Sequence, residues 1–162
     1  HAPEKVLQTI FSRCQSVRVM PLTKEEKERV QSMNPFDDCE EYNIFMDMFS
    51  DLLNALTARD LMSALECGEG MAALESREKQ KAFCTFASEC LRKIFLYQQN
   101  LPQIAGVSDQ ERDFYTDMAG RCGRKFCSKS VADIEKVVAM IDRNVSSKIL
   151  FTDLVNRMFL NI

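Results

Sequence analysis

Arg77-Glu78-Lys79-Gln80-Lys81-Ala82-Phe83-Cys84-Thr85-Phe86-Ala87-Ser88-Glu89-Cys90-Leu91-Arg92-Lys93-Ile94-Phe95-Leu96-Tyr97-Gln98 is the stretch that decides the fold class. It holds no Gly or Pro, and Phe83, Phe86, Ala87, Cys90, Leu91, Ile94 and Phe95 recur at three- and four-residue spacing, which predicts one apolar stripe on a long helix. Ser76 stands where an N-cap belongs, and Asn100-Leu101-Pro102 stops the run. The rest of the chain agrees with this reading. Of 162 residues, 46% are hydrophobic and 28% charged, with 5 Gly, 4 Pro and 9 Met. Such a composition favours a mainly α protein with enough chain for a full core.

Toward the N-terminus, Thr57 with Asp60 three residues on predicts a capped start for a helix carrying Leu61, Leu65, Met71 and Leu74 inward. Gly68 and Gly70 interrupt it, each costing ~1 kcal/mol relative to Ala, and close packing against a neighbouring helix is the expected reason. Before it, Tyr42, Phe45, Met46, Phe49, Leu52 and Leu53 define a wide apolar face from Glu40 onward. Met33-Asn34-Pro35-Phe36-Asp37-Asp38 reads as a linker, because Pro35 disfavours α geometry at Asn34. It follows a short, almost wholly charged helix capped by Thr23 (Lys24 to about Ser32).

Toward the C-terminus, Ser108-Asp109-Gln110-Glu111 has the form of a capping box for a helix with Phe114, Tyr115 and Met118 apolar. Gly120 to Ser128 reads as a basic loop. Ser130 and Asp133 are expected to cap a helix bearing Val131, Ile134, Val137, Val138 and Ile141. The last helix, Lys148 to about Leu160, is apolar at Ile149, Leu150, Phe151, Leu154, Val155, Met158 and Phe159, which places it in the core or in a subunit interface. Five to six helices in one bundle are expected over residues 38–162.

Several functions are disfavoured on composition. The formal net charge of -3 argues against a dedicated nucleic-acid-binding domain. The seven cysteines form no C-x-x-C pair and the one His is His1, so no metal site is expected and the thiols read as free, buried groups in a reducing cytoplasm. No signal peptide and no apolar run of 18 residues is found, so neither secretion nor a membrane partner is expected. Asp142-x-Asn144-x-Ser146 to Asp153 has the outline of a calcium-binding loop. Ser147 stands where Gly is needed, though, and Asp153 where a bidentate Glu is needed. It reads instead as an interhelical turn, with a calcium-responsive adaptor as a lesser alternative. No nucleophile–base set or phosphate loop is present. The cluster Arg77, Lys79, Lys81 lies at the positive end of a helix dipole, where cations are unfavourable, and is a candidate interface or anion-facing patch.

One segment does not suit a helical bundle. Thr9-Ile10-Phe11-Ser12-Arg13-Cys14-Gln15 leads into Val17-Arg18-Val19, which alternates like a strand. A planar, permanently charged Arg13 on such a segment suits contact with a neighbour's phosphate. Together with Pro3-Glu4-Lys5-x-Leu7, this run resembles the Ser-Arg-Cys segment of clamp-loader AAA+ subunits, in particular the δ′ type of bacterial DNA polymerase III. Arg77-Glu78-Lys79-Gln80-Lys81-x-Phe83 with Leu91-Arg92-x-x-Phe95, and Ile141-x-x-Asn144-x-x-x-Lys148-Ile149-x-Phe151-x-Asp153-Leu154, are similar to collar-domain sequences of that family.

The resemblance implies that residues 1–21 are the strand-containing end of an AAA+ core, 22–37 a shortened lid, and 38–162 a helical collar domain. It implies Arg13 as an arginine finger acting on ATP bound by an adjacent subunit, supported by Ser12 and Cys14, with no cofactor in this chain itself. The implied partners are the motor and δ subunits through the collar, and the sliding clamp and primed DNA through the complete complex. This chain alone is expected to be no enzyme. With no initiator Met and a start inside a motif, it is expected to be the C-terminal part of a longer protein. The lid departs from the family pattern, with only residues 22–36 between the two regions. The motor subunit, which shares the architecture, is the alternative.

Overall fold

A computed structural model describes residues 40–123 and 125–162, and the expected strand, the Ser12-Arg13-Cys14 motif and the charged helix after Thr23 lie outside them. The described residues form six α-helices and one 3-10 turn: α1 Glu40–Thr57, α2 Leu61–Ala72, α3 Arg77–Gln98, the 3-10 turn Pro102–Ile104, α4 Arg112–Arg121, α5 Phe126–Ile141 and α6 Ser147–Asn161. The mainly helical bundle is as expected.

Packing runs from α1 to α2, from α2 to α6, from α6 to α5 and from α5 to α3. Aromatic side chains close the circuit between α3 and α1. The Tyr42 ring meets Phe86 edge-on at 5.4 Å, Phe45 meets Phe83 at 5.4 Å, and Phe49 meets Phe86 at 6.4 Å. T-shaped pairs of this kind add ~0.5–1.5 kcal/mol each beyond area burial. α4 packs on the outside of α3, with Tyr115 and Met118 buried beneath it. The core contains Phe45, Phe49, Leu52, Leu53, Phe83, Leu91, Ile94, Phe126, Phe151 and Val155.

Ser76 caps α3 as expected, its hydroxyl accepting from the Lys79 N–H at 3.1 Å. Three other starts are corrected. α2 opens at Leu61 with Asp60, not Thr57, as its cap; the Asp60 carboxylate accepts from the Ser63 N–H at 3.2 Å. Thr57 still belongs to α1 and donates back to the Leu53 carbonyl at 2.8 Å. The capping box Ser108–Glu111 does not form, because the Glu111 carboxylate accepts from the Ser108 hydroxyl and from Tyr42 instead. α4 therefore begins at Arg112. α5 begins at Phe126, so Ser130 and Asp133 are buried within it rather than capping it. Phe126 and Cys127, both buried, draw that first turn into the core; the Ser130 hydroxyl has no hydrogen-bond partner there.

Three apolar residues expected to face inward do not. Leu61, Phe95 and Ile149 are exposed. The remainder of the α6 face, Leu150, Phe151, Leu154, Val155 and Met158, is buried, which assigns that helix to the core of this bundle.

The two α2 glycines separate on packing. A Cβ on Gly68 would sit 3.1 Å from Val155 Cγ2 and 3.5 Å from the Phe151 carbonyl oxygen, so a side chain there would press α2 against α6. A Cβ on Gly70 would meet only Met48 Cε at 4.0 Å. Gly68→Val is therefore expected to destabilise the protein by about 2 kcal/mol or more through overpacking, and Gly70→Ala to stabilise it by about 0.5–1 kcal/mol. Urea unfolding of the two variants checks the opposite signs.

Candidate functional site

Arg77, Lys79 and Lys81 all lie in the first turns of α3, but they do not converge on one point. Lys79 Nζ pairs with Glu75 at 2.7 Å, a hydrogen bond that raises the Lys79 pKa above the usual lysine value. Lys81 pairs with Asp142 in the turn between α5 and α6. Arg77 is exposed and has no ion-pair partner among the described residues. The dipole cost of these cations is thus met mostly within the chain: Glu78 sits in the same first turn, and Ser76 holds one of the free N–H groups.

The polar centre of this end of the bundle is Gln80, which composition gave no reason to single out. Gln80 is 4% exposed. Its Nε2 donates to the Ala72 carbonyl at 3.1 Å and to the Leu74 carbonyl at 3.5 Å, and its Oε1 accepts from the Ser147 hydroxyl at 2.8 Å. One amide thus takes carbonyls left open at the end of α2 and receives a donor from the start of α6. Gln98 plays the matching part at the other end of α3, donating to the Cys122 carbonyl at 3.0 Å and the Ala119 carbonyl at 3.4 Å where α4 ends. Both glutamines extend the apolar stripe of α3, Gln80 three residues before Phe83 and Gln98 four after Ile94. That spacing was the available signal.

Arginines tie the remaining ends. Arg59, at a left-handed φ of 60°, donates to the Phe159 and Ile162 carbonyls at 3.2 and 2.8 Å and lies over the Phe159 ring. A cation at the last turn of α6 complements the helix dipole. Arg121 reaches from α4 to Asn54 at 3.0 Å and to Thr57, while pairing with Asp117.

The calcium-loop residues are not gathered. Asp142 is engaged by Lys81 and Asp153 by Arg157 at 2.7 Å, and no group of three metal-ligating side chains occurs among the described residues. Cys84, Cys90, Cys122 and Cys127 are buried free thiols, as expected, whereas Cys14 and Cys39 lie outside the described residues. Burial pushes the Cys84 and Cys127 thiols up to about 12 and those of Cys90 and Cys122 to about 11. The Tyr115 phenol, donating to Cys90 Sγ at 3.3 Å, is likewise raised by burial. Cys67 is only half-buried and less removed from solvent. No helix among the described residues is long and apolar enough to cross a membrane.

No protein-family model matches this chain, and comparisons with curated proteins and with solved structures find no match.

Two measurements follow from this geometry. Gln80→Ala is expected to cost about 1–2 kcal/mol, since two part-buried carbonyls lose their donor, and Ser147→Ala about 1 kcal/mol. In a double-mutant cycle the losses should fall short of additivity by about 0.5 kcal/mol or more, and strict additivity would show that the two do not interact. Alkylation at pH 8, mapped by peptide mass spectrometry, should label Cys67 well before Cys84, Cys90, Cys122 and Cys127, because the thiolate is the reactive form.

Proposed function

We propose that this chain is the C-terminal region of a δ′-like subunit of a bacterial DNA polymerase III clamp loader. In this reading it is a non-catalytic, cytoplasmic module that helps assemble the loader ring and supplies an arginine to a neighbouring ATPase. The observation that carries the reading is the run Thr9-Ile10-Phe11-Ser12-Arg13-Cys14-Gln15, followed in the same chain by a helical bundle. In this reading residues 1–21 close an AAA+ core, 22–37 are a reduced lid and 38–162 are the collar. Arg13 reaches the ATP of the adjacent subunit, and Ser12 and Cys14 hold its segment. Ordering of the γ-phosphate charge by a planar guanidinium is the chemistry such a residue supplies.

The described residues support the reading in two ways. Their polar interactions are spent on joining helix ends, as at Gln80, Gln98, Arg59 and Arg121, which suits a rigid assembly module. Their buried thiols and phenol are held toward neutral forms, which does not suit nucleophilic chemistry. The motor subunit of the same loader is the second reading, since it shares the architecture, and an intact phosphate loop in the full-length protein would mark the motor. The calcium reading draws no support from Asp142 and Asp153, each already paired to a cation.

The chain is expected to co-elute with the motor and δ subunits and to hydrolyse no ATP alone. Failure to co-elute would remove the assembly role. In a reconstituted loader containing the full-length protein, Arg13→Ala should lower DNA-stimulated ATP hydrolysis and clamp loading by about 10³-fold, with assembly intact. Unchanged hydrolysis would remove the finger.

A further inference from the structure

Charge is divided unevenly along the bundle. Residues 40–75 carry eight Asp and Glu against one Arg, a formal -7, while residues 76–162 carry ten against fourteen Lys and Arg, a formal +4. The acidic part is the hairpin of α1 and α2. Several of its acids are committed: Glu69 to Lys148, Glu75 to Lys79, and Asp60 to capping α2. Asp47, Asp51 and Glu66 are exposed and have no cation partner among the described residues. Asp47 and Asp51 stand one helical turn apart, a like-charge spacing that costs the isolated helix ~0.2–0.5 kcal/mol.

Asp51 and Glu66 line a groove, and Asp47 stands one turn before Asp51 on α1. Between α1 and α2 an open cleft of about 610 Å³ is lined by Asp51, Asn54, Ala55, Ala58, Glu66 and Cys67, among others. Most of its exposed surface is apolar, and the carboxylates of Asp51, Asp60 and Glu66 are part of its lining. Beside it, on the same helical stripe as Asp47 and Asp51, Ile44 is 53% exposed, and on the stripe of Glu66, Met62 is 69% exposed. A mostly apolar groove with carboxylates in its lining and solvent-facing Ile and Met beside it is complementary to a basic amphipathic helix. The apolar side of such a helix enters the groove while its Lys and Arg meet Asp47, Asp51 and Glu66.

We propose that the α1–α2 hairpin is a docking surface for a basic amphipathic helix of another protein. Nucleic acid is repelled by this face. A second copy of the chain is the competing occupant, since eight cations already carry ion pairs but Arg77, Lys125 and Arg143 are exposed without one among the described residues, and a dimer of the chain is the outcome that separates it. The proposal stands independently of the clamp-loader reading.

The test uses the whole chain and a fluorescein-labelled peptide of about four helical turns, with Leu at every third and fourth position and Lys between. Its controls are a scrambled peptide of the same composition and a version with Glu in place of Lys. Anisotropy should rise with the Lys peptide alone, and affinity should fall as salt is raised from about 50 to about 300 mM. Asp51→Lys combined with Glu66→Lys, both exposed, should weaken binding at least about 10-fold, and circular dichroism should show the fold intact. Met62→Ser should weaken it without changing the salt slope. Arg143→Glu, at an exposed cation in the α5–α6 turn, should leave it unchanged. The proposal is overturned by no binding, by equal binding of the scrambled peptide, or by indifference to the double charge reversal. A salt-sensitive dimer of the chain that the reversal abolishes would overturn it in favour of self-association.

Discussion

The buried amide of Gln80 sets the constraint on which this bundle depends. A helical bundle with short connections must bring helix ends into its interior, and each end arrives with backbone groups that the helix itself cannot satisfy. Where α2 stops and α6 starts, one buried side chain serves both ends: the Ala72 and Leu74 carbonyls accept from Gln80 Nε2, and Ser147 at the α6 start donates to its Oε1. Lys81, the next residue, holds Asp142 on the same α5–α6 turn. The first turns of α3 thereby fix the place of three other elements. Close contact of α2 with α6 at Gly68, and burial of Phe151 and Val155 beneath it, then follow from a placement that the polar contacts determine and the apolar ones fill.

This division explains which features were legible in the sequence. Helix existence was readable, because apolar spacing along α1, α3 and α6 is a property of one element at a time. The Ser76 cap was readable because it is local. Helix starts that depend on a distant partner were not. Ser108 and Glu111 have the spacing of a capping box, yet Glu111 serves Tyr42, 69 residues away. Ser130 and Asp133 resemble caps, but the burial of Phe126 and Cys127 begins the helix a turn earlier. Exposure of Leu61, Phe95 and Ile149 was equally hidden, since which edge of a wide apolar face meets a neighbour is decided by the neighbour.

The candidate site divides in the same way. Arg13, Ser12 and Cys14 were singled out by a local motif, and they lie outside the described residues. Arg77, Lys79 and Lys81 were singled out as a run of cations, but a run in sequence spans the circumference of a helix. Successive odd positions point in widely separated directions, so Lys79 meets Glu75 on its own side while Lys81 crosses to Asp142. Gln80, between them, turns inward. A polar residue in phase with an apolar stripe, rather than a cluster of charge, is the pattern that marked the residue joining the α2 end to the α6 start.

Charge on this bundle is best understood as two populations. On α3 to α6 most described cations are matched by carboxylates within the chain, many at three- and four-residue spacing, where exposed pairs contribute only ~0.3–0.5 kcal/mol each. Their effect is mainly to reduce the field of those faces, which keep a formal +4. On the α1–α2 hairpin the acids outnumber local cations, and Arg59, the single base, is turned toward the end of α6. A helix gains nothing intrinsically from Asp47 and Asp51 one turn apart. Their unfavourable interaction is relieved only by counter-charge brought from outside the bundle, by salt or by a partner. The hairpin therefore presents a net negative field to whatever approaches it, and residues 76–162 a smaller positive one. That difference in sign and size of charge, more than any single side chain, sets the hairpin apart from the other surfaces of the bundle.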